Sequence, residues 1–448
     1  MSFRLYESYR ESGVRWLGSV PSGWTVKAIK HCFSVVGGST PKSEVEEFWD
    51  GEHVWVTPAD LSGLSGFGIV DSARRITDAG LESCGTNLVP PGSIVLSTRA
   101  PIGSLAIAGT SLCTNQGCKS LVPKQGVVPR YFAYVLSIAG EELNLRGRGT
   151  TFLELSADAL GAFEVVVPTA MEQVAIAAFL DRETAKIDAL VEEQKRLIEL
   201  LKEKRQAVIS QAVTKGLDPS VPMKDSGVEW LGEVPAHWEV RRVSSISTKI
   251  TNGYVGPTRD ILVDHGVRYL QSLHIKANRI KFDTPYFVTE DWSKEHRKSI
   301  LQVGDLLIVQ TGDIGQVAVV TDEFAGCNCH ALIIVSPLRK VVAGEYLGWI
   351  FGSDYGKHSL LSIQTGALHP HLNCGNVKDL VVPLPPPIEQ AEILKRCYEA
   401  ASSFDALITE AQAAVELLSE RRSALISAAV TGKIDVRGLV PQPEVTSA

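Results

Sequence analysis

The sequence predicts an α+β protein built as a tandem repeat of two β-rich α/β domains, each followed by a long helix. Three observations carry this. A sixteen-residue stretch recurs at an offset of 214, helix-like stretches of over 40 residues recur at an offset of 217, and the segments between them alternate short apolar runs with turn residues. Self-similarity at a fixed period is the signature of repeated structural units.

The repeat opens with a tryptophan-rich motif. Residues 11–26, ESGVRWLGSVPSGWTV, match residues 225–240, DSGVEWLGEVPAHWEV, at ten of sixteen positions. Trp16/Trp230, Pro21/Pro235 and Trp24/Trp238 recur in register. Later, Glu172-Gln173 matches Glu389-Gln390, and EKRQAVISQAVT at 203–214 matches ERRSALISAAVT at 420–431. These matches divide the chain into a first domain (1–165), a helix (166–214) and a linker (215–226) rich in Gly, Pro, Asp and Ser. A second domain (227–382), a second helix (383–431) and a C-terminal tail (432–448) follow.

The domain interiors read as strands. Residues 88–122 and 301–335 each open an apolar run after a glycine, Gly92 or Gly304. Each then turns through polar residues to Ile102-Gly103 or Ile314-Gly315 and resumes an apolar run. Short apolar runs bounded by turn residues are strand signals. The polar loop residues differ between the copies, as two related domains recognising different partners would require.

The helices are read from the absence of breakers. Neither Gly nor Pro occurs from Met171 to Lys215 or from Ile388 to Thr431, and those residues end helices. Ile187, Leu190, Gln194, Leu197, Leu201, Lys204 and Val208 follow alternating three- and four-residue steps, as a coiled-coil seam does. The second copy places Phe404, Leu407, Ala411, Ala414, Leu418, Arg421 and Leu425 at the matching positions. Small Ala411 and Ala414 fall opposite larger Gln194 and Leu197, so the pattern favours an intramolecular coiled coil over two separate core helices.

Composition narrows the function. The 448 residues hold 44 Lys+Arg and 51 Asp+Glu, a net charge of −7, which excludes a bulk polycation but not a local basic groove. No apolar run approaches the roughly 18–20 residues that span a bilayer. The N-terminal MSFRLYESYR has no apolar core, so a cytoplasmic protein is predicted. Eight cysteines are too dilute for a disulfide scaffold. Cys327 and Cys329, with His330 adjacent, have poor spacing for structural zinc. No P-loop, dinucleotide-type glycine loop, methyltransferase Asn-Pro-Pro-aromatic motif or Gly-x-Ser-x-Gly elbow is found. Glu193-Gln194-Lys195 reads as a solvated helix face, and His369-Pro370-His371 as plain surface. No metal site is predicted and no catalytic residue is assigned.

Side chains able to reach base edges and phosphates gather in loops. In the first domain they are Lys42, Arg99, Asn115, Gln116, Arg146 and Arg148. In the second they are Asn252, Tyr254, Gln271, His274, Arg279, Gln310 and Gln364. Residues 241–380 hold 15 Lys/Arg against 13 Asp/Glu, a net of +2, and residues 27–165 hold 11 against 14, a net of −3. A solvated loop explains each cluster alone. The paired arrangement favours recognition.

With these residues in view the chain resembles the specificity (S) subunits of type I restriction–modification systems. The resemblance rests on GVxWLGxVPxxW at the start of both halves and on the Pro-x3-Glu-Gln or Pro-x5-Glu-Gln entry to each long helix. It rests also on GSTPKSEVEEFWDGEHVWVTPADL at 38–61, on RAPIGSLAIAG…NQGCKSLVP at 99–123 and on LISAAVTGKIDVR at 425–437. It implies two target-recognition domains, each reading one half of a split, asymmetric double-stranded DNA site. It also implies two helices paired as an antiparallel coiled coil with pseudo-twofold symmetry, and half-sites about one DNA turn, ~34 Å, apart. Two methyltransferase (M) subunits would dock on it, and nuclease–translocase (R) subunits would join for restriction. S-adenosylmethionine would bind the M subunits, and ATP and Mg2+ the R subunits, with none bound by this chain and no catalysis of its own. The alternative is a bivalent coiled-coil protein-interaction scaffold without DNA binding.

Overall fold

The computed structural model describes residues 3–64, 66–99, 101–147, 153–366 and 370–439. The chain forms two compact units. The first comprises residues 1–193 with 414–448, and the second residues 194–413. Each long helix contributes to both, so the compact units differ from a simple halving of the sequence. The first long helix runs Ala170–Lys215 and the second Pro387–Val430. Residues 166–167 and 383–384, expected to open the helices, instead end the strands Glu164–Val167 and Val381–Leu384.

The first unit begins with a hairpin, Tyr9–Glu11 against Ser19–Pro21. Strand Thr25–Ala28 pairs with Glu164–Val167. The main sheet orders Phe33–Gly37, Cys118–Pro123, Ile94–Ser97, Leu105–Ala108 and Gly68–Ile69. Neighbours are antiparallel except at the last pair. A smaller sheet pairs Trp49–Val56 with Leu112–Thr114 in parallel and with Arg75–Ile76 antiparallel.

The second unit repeats this plan. Its first hairpin is Met223–Asp225 against Glu233–Pro235, and Glu239–Arg242 pairs with Val381–Leu384. Its main sheet orders Ser247–Asn252, Leu332–Pro337, Leu306–Val309 and Val317–Val319, all antiparallel. Val267–Leu270 pairs with Asn328–Cys329 in parallel and with Phe287–Val288 antiparallel. The central strands Ile94–Ser97 and Leu306–Val309 are buried on both faces, which explains their unbroken apolar sequence.

The recurring tryptophans and Glu-Gln pairs turn out to be one device. Trp24 donates its indole N–H to Glu172 Oε1 at 3.1 Å, and Trp238 does the same to Glu389 Oε1 at 2.9 Å. Thr169 and Glu172 form a capping box at the first helix start. Gln173 accepts from the Val128 N–H at 2.9 Å and donates to the Pro168 carbonyl at 3.0 Å. Gln390 accepts from the Ala343 N–H at 3.1 Å and donates to the carbonyls of Val341 and Pro385. Both glutamines are buried, so their amides satisfy backbone groups that water cannot reach.

A tyrosine completes each unit. Tyr131 donates its hydroxyl toward the carbonyls of Val166 and Val430, both at 3.1 Å. Tyr346 points likewise toward Val213 at 3.2 Å and Pro383 at 3.4 Å. In each unit the domain thus holds the start of one long helix and the end of the other. Ile176, Phe179 and Leu180 share a core with Ile426, Ala429 and Val430 in the first unit. Ile209, Ala212 and Val213 share one with Ile393, Cys397 and Ala401 in the second. Within each unit the helices therefore run antiparallel. Asp188 pairs with Arg422 at 2.8 Å in the first, and Arg205 with Asp405 at 3.5 Å in the second.

The seam is shifted from the expected one. Ile187, Gln194, Leu201, Val208, Phe404, Ala411, Leu418 and Leu425 are buried or half-buried as expected. Leu190, Leu197 and Leu407 are instead 46%, 43% and 45% exposed, while Val191, Ile198 and Ile408 turn inward. Ala414 is half-buried beside Val415. Over 187–208 the expected row and the observed row (187, 191, 194, 198, 201, 205, 208) hold equal numbers of apolar residues, so spacing alone does not choose between them. Arg205 and Arg422 occupy the observed row by packing their stems while their charged ends meet the aspartates.

Two outcomes follow from this packing. Ile187→Ala should lower unfolding stability by about 2–5 kcal/mol, whereas Leu190→Ala should change it by less than about 0.5 kcal/mol. Chemical denaturation of the two variants checks this. The thiols report burial in a second way. Burial pushes Cys113 up to about 11, and Cys118 and Cys397 up to about 12. Since the thiolate is the nucleophile, iodoacetamide at pH 8 should modify half-exposed Cys84 first and these three only after unfolding, as read by mass spectrometry.

Candidate nucleic-acid interface

In the first domain, hydrogen bonds tie together the loops that follow several strands. The Ser39 N–H reaches the Thr114 carbonyl at 2.9 Å, and the Asn115 N–H reaches Val56 at 3.0 Å. The Thr98 N–H reaches Gly117 at 2.8 Å, and the Leu155 N–H reaches Thr98 at 2.9 Å. Gly38 is needed for this closeness, because a β-carbon there would collide with the backbone of Thr114 and Asn115.

The second domain makes three of these four bonds at equivalent positions. The Tyr254 N–H reaches Cys329 at 2.8 Å, the His330 N–H reaches Leu270 at 2.8 Å, and the Leu372 N–H reaches Gln310 at 2.9 Å. Gly253 replaces Gly38, with Cys329 backbone where its β-carbon would lie. Tyr254 thus stands where the first domain has Ser39, His330 where it has Asn115, and Gln310 where it has Thr98.

This framework sorts the expected residues. Lys42 is exposed beside the cluster, its carbonyl accepting from the Trp49 indole at 3.2 Å. Arg99 is 44% exposed and paired with Glu154 at 3.1 Å. Gln116 is exposed and accepts from the Thr40 hydroxyl. Asn115 is half-buried, its Oδ1 accepting from the Gly117 N–H at 2.9 Å, so it shapes the turn that presents Gln116. Arg146 lies apart, its guanidinium 4.8 Å from the Phe163 ring centre. Arg148 and His369 lie outside the described residues.

In the second domain Asn252, Tyr254, Gln310 and Gln364 fall in the same loop region. Asn252 Oδ1 accepts from the Cys374 thiol at 2.7 Å. Gln310 keeps a buried Oε1 without a partner among the described residues. Gln364 is exposed beside Thr365, which bridges to His371.

Two expected contacts have framework roles instead. Gln271 and His274 form a capping box: the Gln271 N–H donates to His274 Nδ1 at 2.8 Å, and His274 Nε2 faces the Thr284 carbonyl at 2.8 Å. His274 is fully buried, which lowers its pKa, and because Nδ1 accepts from a backbone N–H the ring donates through Nε2. Its first-domain counterpart is Asp60, which accepts from the Thr57 N–H at 2.8 Å. A histidine read as a base contact is thus a turn clamp. Arg279 also departs from the cluster. It sits on a tight hairpin where Ala277 and Asn278 have positive φ, and it lies 4.0 Å from Asp405 on the second long helix.

Spacing alone missed His330. Its Nδ1 is buried without a partner among the described residues, and burial lowers its pKa. The repeat register held the signal, since His330 lies 215 positions after Asn115. Sequence reading also missed the basic segment Lys294–Lys298 beside Tyr254. Chemically, the gathered loops offer amides, hydroxyls and cations, the groups suited to hydrogen-bonded readout of base edges.

A family model described as the type I restriction modification DNA specificity domain matches residues 21–200 and 235–416. The type I restriction enzyme MjaIX specificity subunit of Methanocaldococcus jannaschii is 27% identical over 98% of this chain and 99% of its own. The EcoKI specificity subunit of Escherichia coli K12 is 22% identical over 96% of this chain and 93% of its own. Among solved structures, a chain of a type I R-M system aligns over 94% of this chain and 99% of its own, with a TM-score of 0.71 at 14% identity. The HsdS subunit from Thermoanaerobacter tengcongensis aligns over 93% of this chain and 98% of its own, with a TM-score of 0.54 at 14% identity. The two solved chains show a shared fold. The family match covers both domains with much of both long helices, and by it the chain belongs to the DNA specificity subunits of type I restriction–modification systems.

Proposed function

We propose that this chain reads a bipartite, asymmetric double-stranded DNA site, one half per domain, as the non-catalytic specificity subunit of a type I restriction–modification complex. The observation that carries the reading is the repeated loop framework. Equivalent backbone bonds hold different side chains in the two domains: Asn115 against His330, Thr98 against Gln310, and Ser39 against Tyr254. Two readers with one frame and different outward-facing loop residues, Lys42 and Gln116 in one and Gln364 in the other, would select different half-sites.

The paired helices would set the distance between half-sites and dock two M subunits, with R subunits joining for restriction. S-adenosylmethionine would then be held by the M subunits, and ATP and Mg2+ by the R subunits. The complex would act in the cytoplasm. Among the described residues no helix is long and apolar enough to cross a membrane. Lys42, Arg99, Gln116, Asn252, Tyr254, Gln310 and Gln364 are the proposed contacts. Each good base contact should add roughly 1–3 kcal/mol of discrimination.

Two experiments test this. The chain, co-expressed with its M partner, would be challenged with a random duplex library at physiological salt. Enrichment of a two-part asymmetric site is expected, and exchanging residues 27–165 for those of another family member should change one half only. No enrichment from a folded, intact complex would favour a protein-binding scaffold. Separately, inserting four residues into each long helix adds about 6 Å and should lengthen the gap by about two base pairs, at ~3.4 Å per base pair. An unchanged gap would remove the helices from that role.

A further inference from the structure

The second domain has a cationic cleft with no counterpart among the described residues of the first. Segments Asn252–Val255 and Lys294–Ser299 enclose about 560 Å³. Tyr254 forms one wall. Its ring meets Trp292 at 5.1 Å and His296 at 5.2 Å, both edge-on, and Trp292 stacks on His296 at 3.9 Å. Beneath, buried Asn328 bonds the hydroxyls of Ser293 and Ser299, so the segment is anchored at both ends. Such anchoring leaves the charged side chains outside. Arg297 and Lys298 are exposed, and among the described residues neither has an ion-pair partner. Lys294 differs, lying 3.5 Å from both Glu290 and Asp291. Glu295 is the acidic residue of the lining.

The first domain can be aligned here position by position. Thr77 and Thr289 both cap the short helix that precedes the segment. Beyond it, the Val89 N–H bonds Leu112 at 2.8 Å and the Leu301 N–H bonds Cys327 at 2.9 Å. Thr289 follows Thr77, and Leu301 follows Val89, at the same offset of 212, which places Gly85 and Thr86 where the second domain has Arg297 and Lys298. Thr86 is buried and donates to the Thr114 carbonyl at 2.8 Å. The cations are therefore particular to the second domain.

We propose that Arg297 and Lys298, beside the Tyr254 wall, grip the DNA sugar–phosphate backbone next to the half-site that the second domain reads, giving the two domains unequal shares of the affinity. This rests on the reading that the domain binds duplex DNA. A phosphodiester suits the site: a guanidinium and an ammonium bind its oxygens, and the aromatic wall can pack against a sugar. The cleft adjoins the Asn252–Val255 loop, so backbone and base edges of one strand can be held together. Phosphate contacts set position and affinity without reading sequence.

The test measures salt dependence. The full chain in complex with its M partner would be titrated onto two duplexes, the site recovered by selection and a scrambled sequence, across a salt series. The double variant Arg297→Gln/Lys298→Gln is compared with wild type and with Arg339→Gln/Lys340→Gln as a surface-charge control. The expected result is a plot of log K against log salt shallower by about 2 in the double variant, with equal weakening on both duplexes and no change in the control. An unchanged slope in a variant that melts like wild type overturns the proposal while leaving DNA binding intact. Weakening confined to the selected site also overturns it, because the two residues would then read bases. A wild-type complex that binds neither duplex overturns the DNA reading itself.

Discussion

The molecule depends on a clamp made twice, a buried glutamine and a half-buried glutamate at the start of each long helix. The glutamate holds a tryptophan from the beginning of its domain, Trp24 or Trp238. The glutamine holds the N–H before a domain helix and the carbonyl before its own helix. One turn of helix thereby fixes the tryptophan segment, the domain and the helix axis together. An unmet buried amide or carbonyl costs about 1–3 kcal/mol, so both side chains are held to one geometry. That is why Glu-Gln recurs between segments that otherwise diverge.

Much of the architecture was legible because it follows from periodicity and repetition. The long helices lack breakers, the tryptophan motif repeats, and the strand segments carry turn residues at both ends. What spacing could not settle was the seam, where two rows of equal apolarity compete. The packed row has Val191, Ile198 and Ile408 inside and Leu190, Leu197 and Leu407 outside. The candidate site was less legible. Polar residue type does not separate a side chain that reaches outward from one that shapes a turn. Asn115 and His274 both looked like base contacts, yet one accepts from a loop N–H two residues on and the other is sealed inside a capping box. His330 became visible when the two copies were aligned by backbone bonds, which choose the offset of 215 from a sequence whose motifs repeat at 214 and at 217.

The copies show how one frame carries different side chains. The bond that turns the chain after strand Trp49–Val56 is accepted by an aspartate, and after Val267–Leu270 by a neutral histidine. Backbone geometry persists while the accepting chemistry changes, and charge varies with it. The stretch after the short capped helix is Cys84-Gly85-Thr86 in one domain and His296-Arg297-Lys298 in the other. Loop framework and surface charge thus vary independently between the two copies.

The composition of the first compact unit has a consequence for how the protein is made. Its core includes Ile426, Ala429, Val430 and Val436 from the far end of the chain, and Tyr131 donates to the Val430 carbonyl. The second unit needs nothing beyond residue 413. During vectorial synthesis on a ribosome, domains generally fold as they emerge, the earlier ones first. Here that order is reversed. The second unit holds all its parts while the first still waits, with the face that receives the second helix open, until residues 414–436 have been translated.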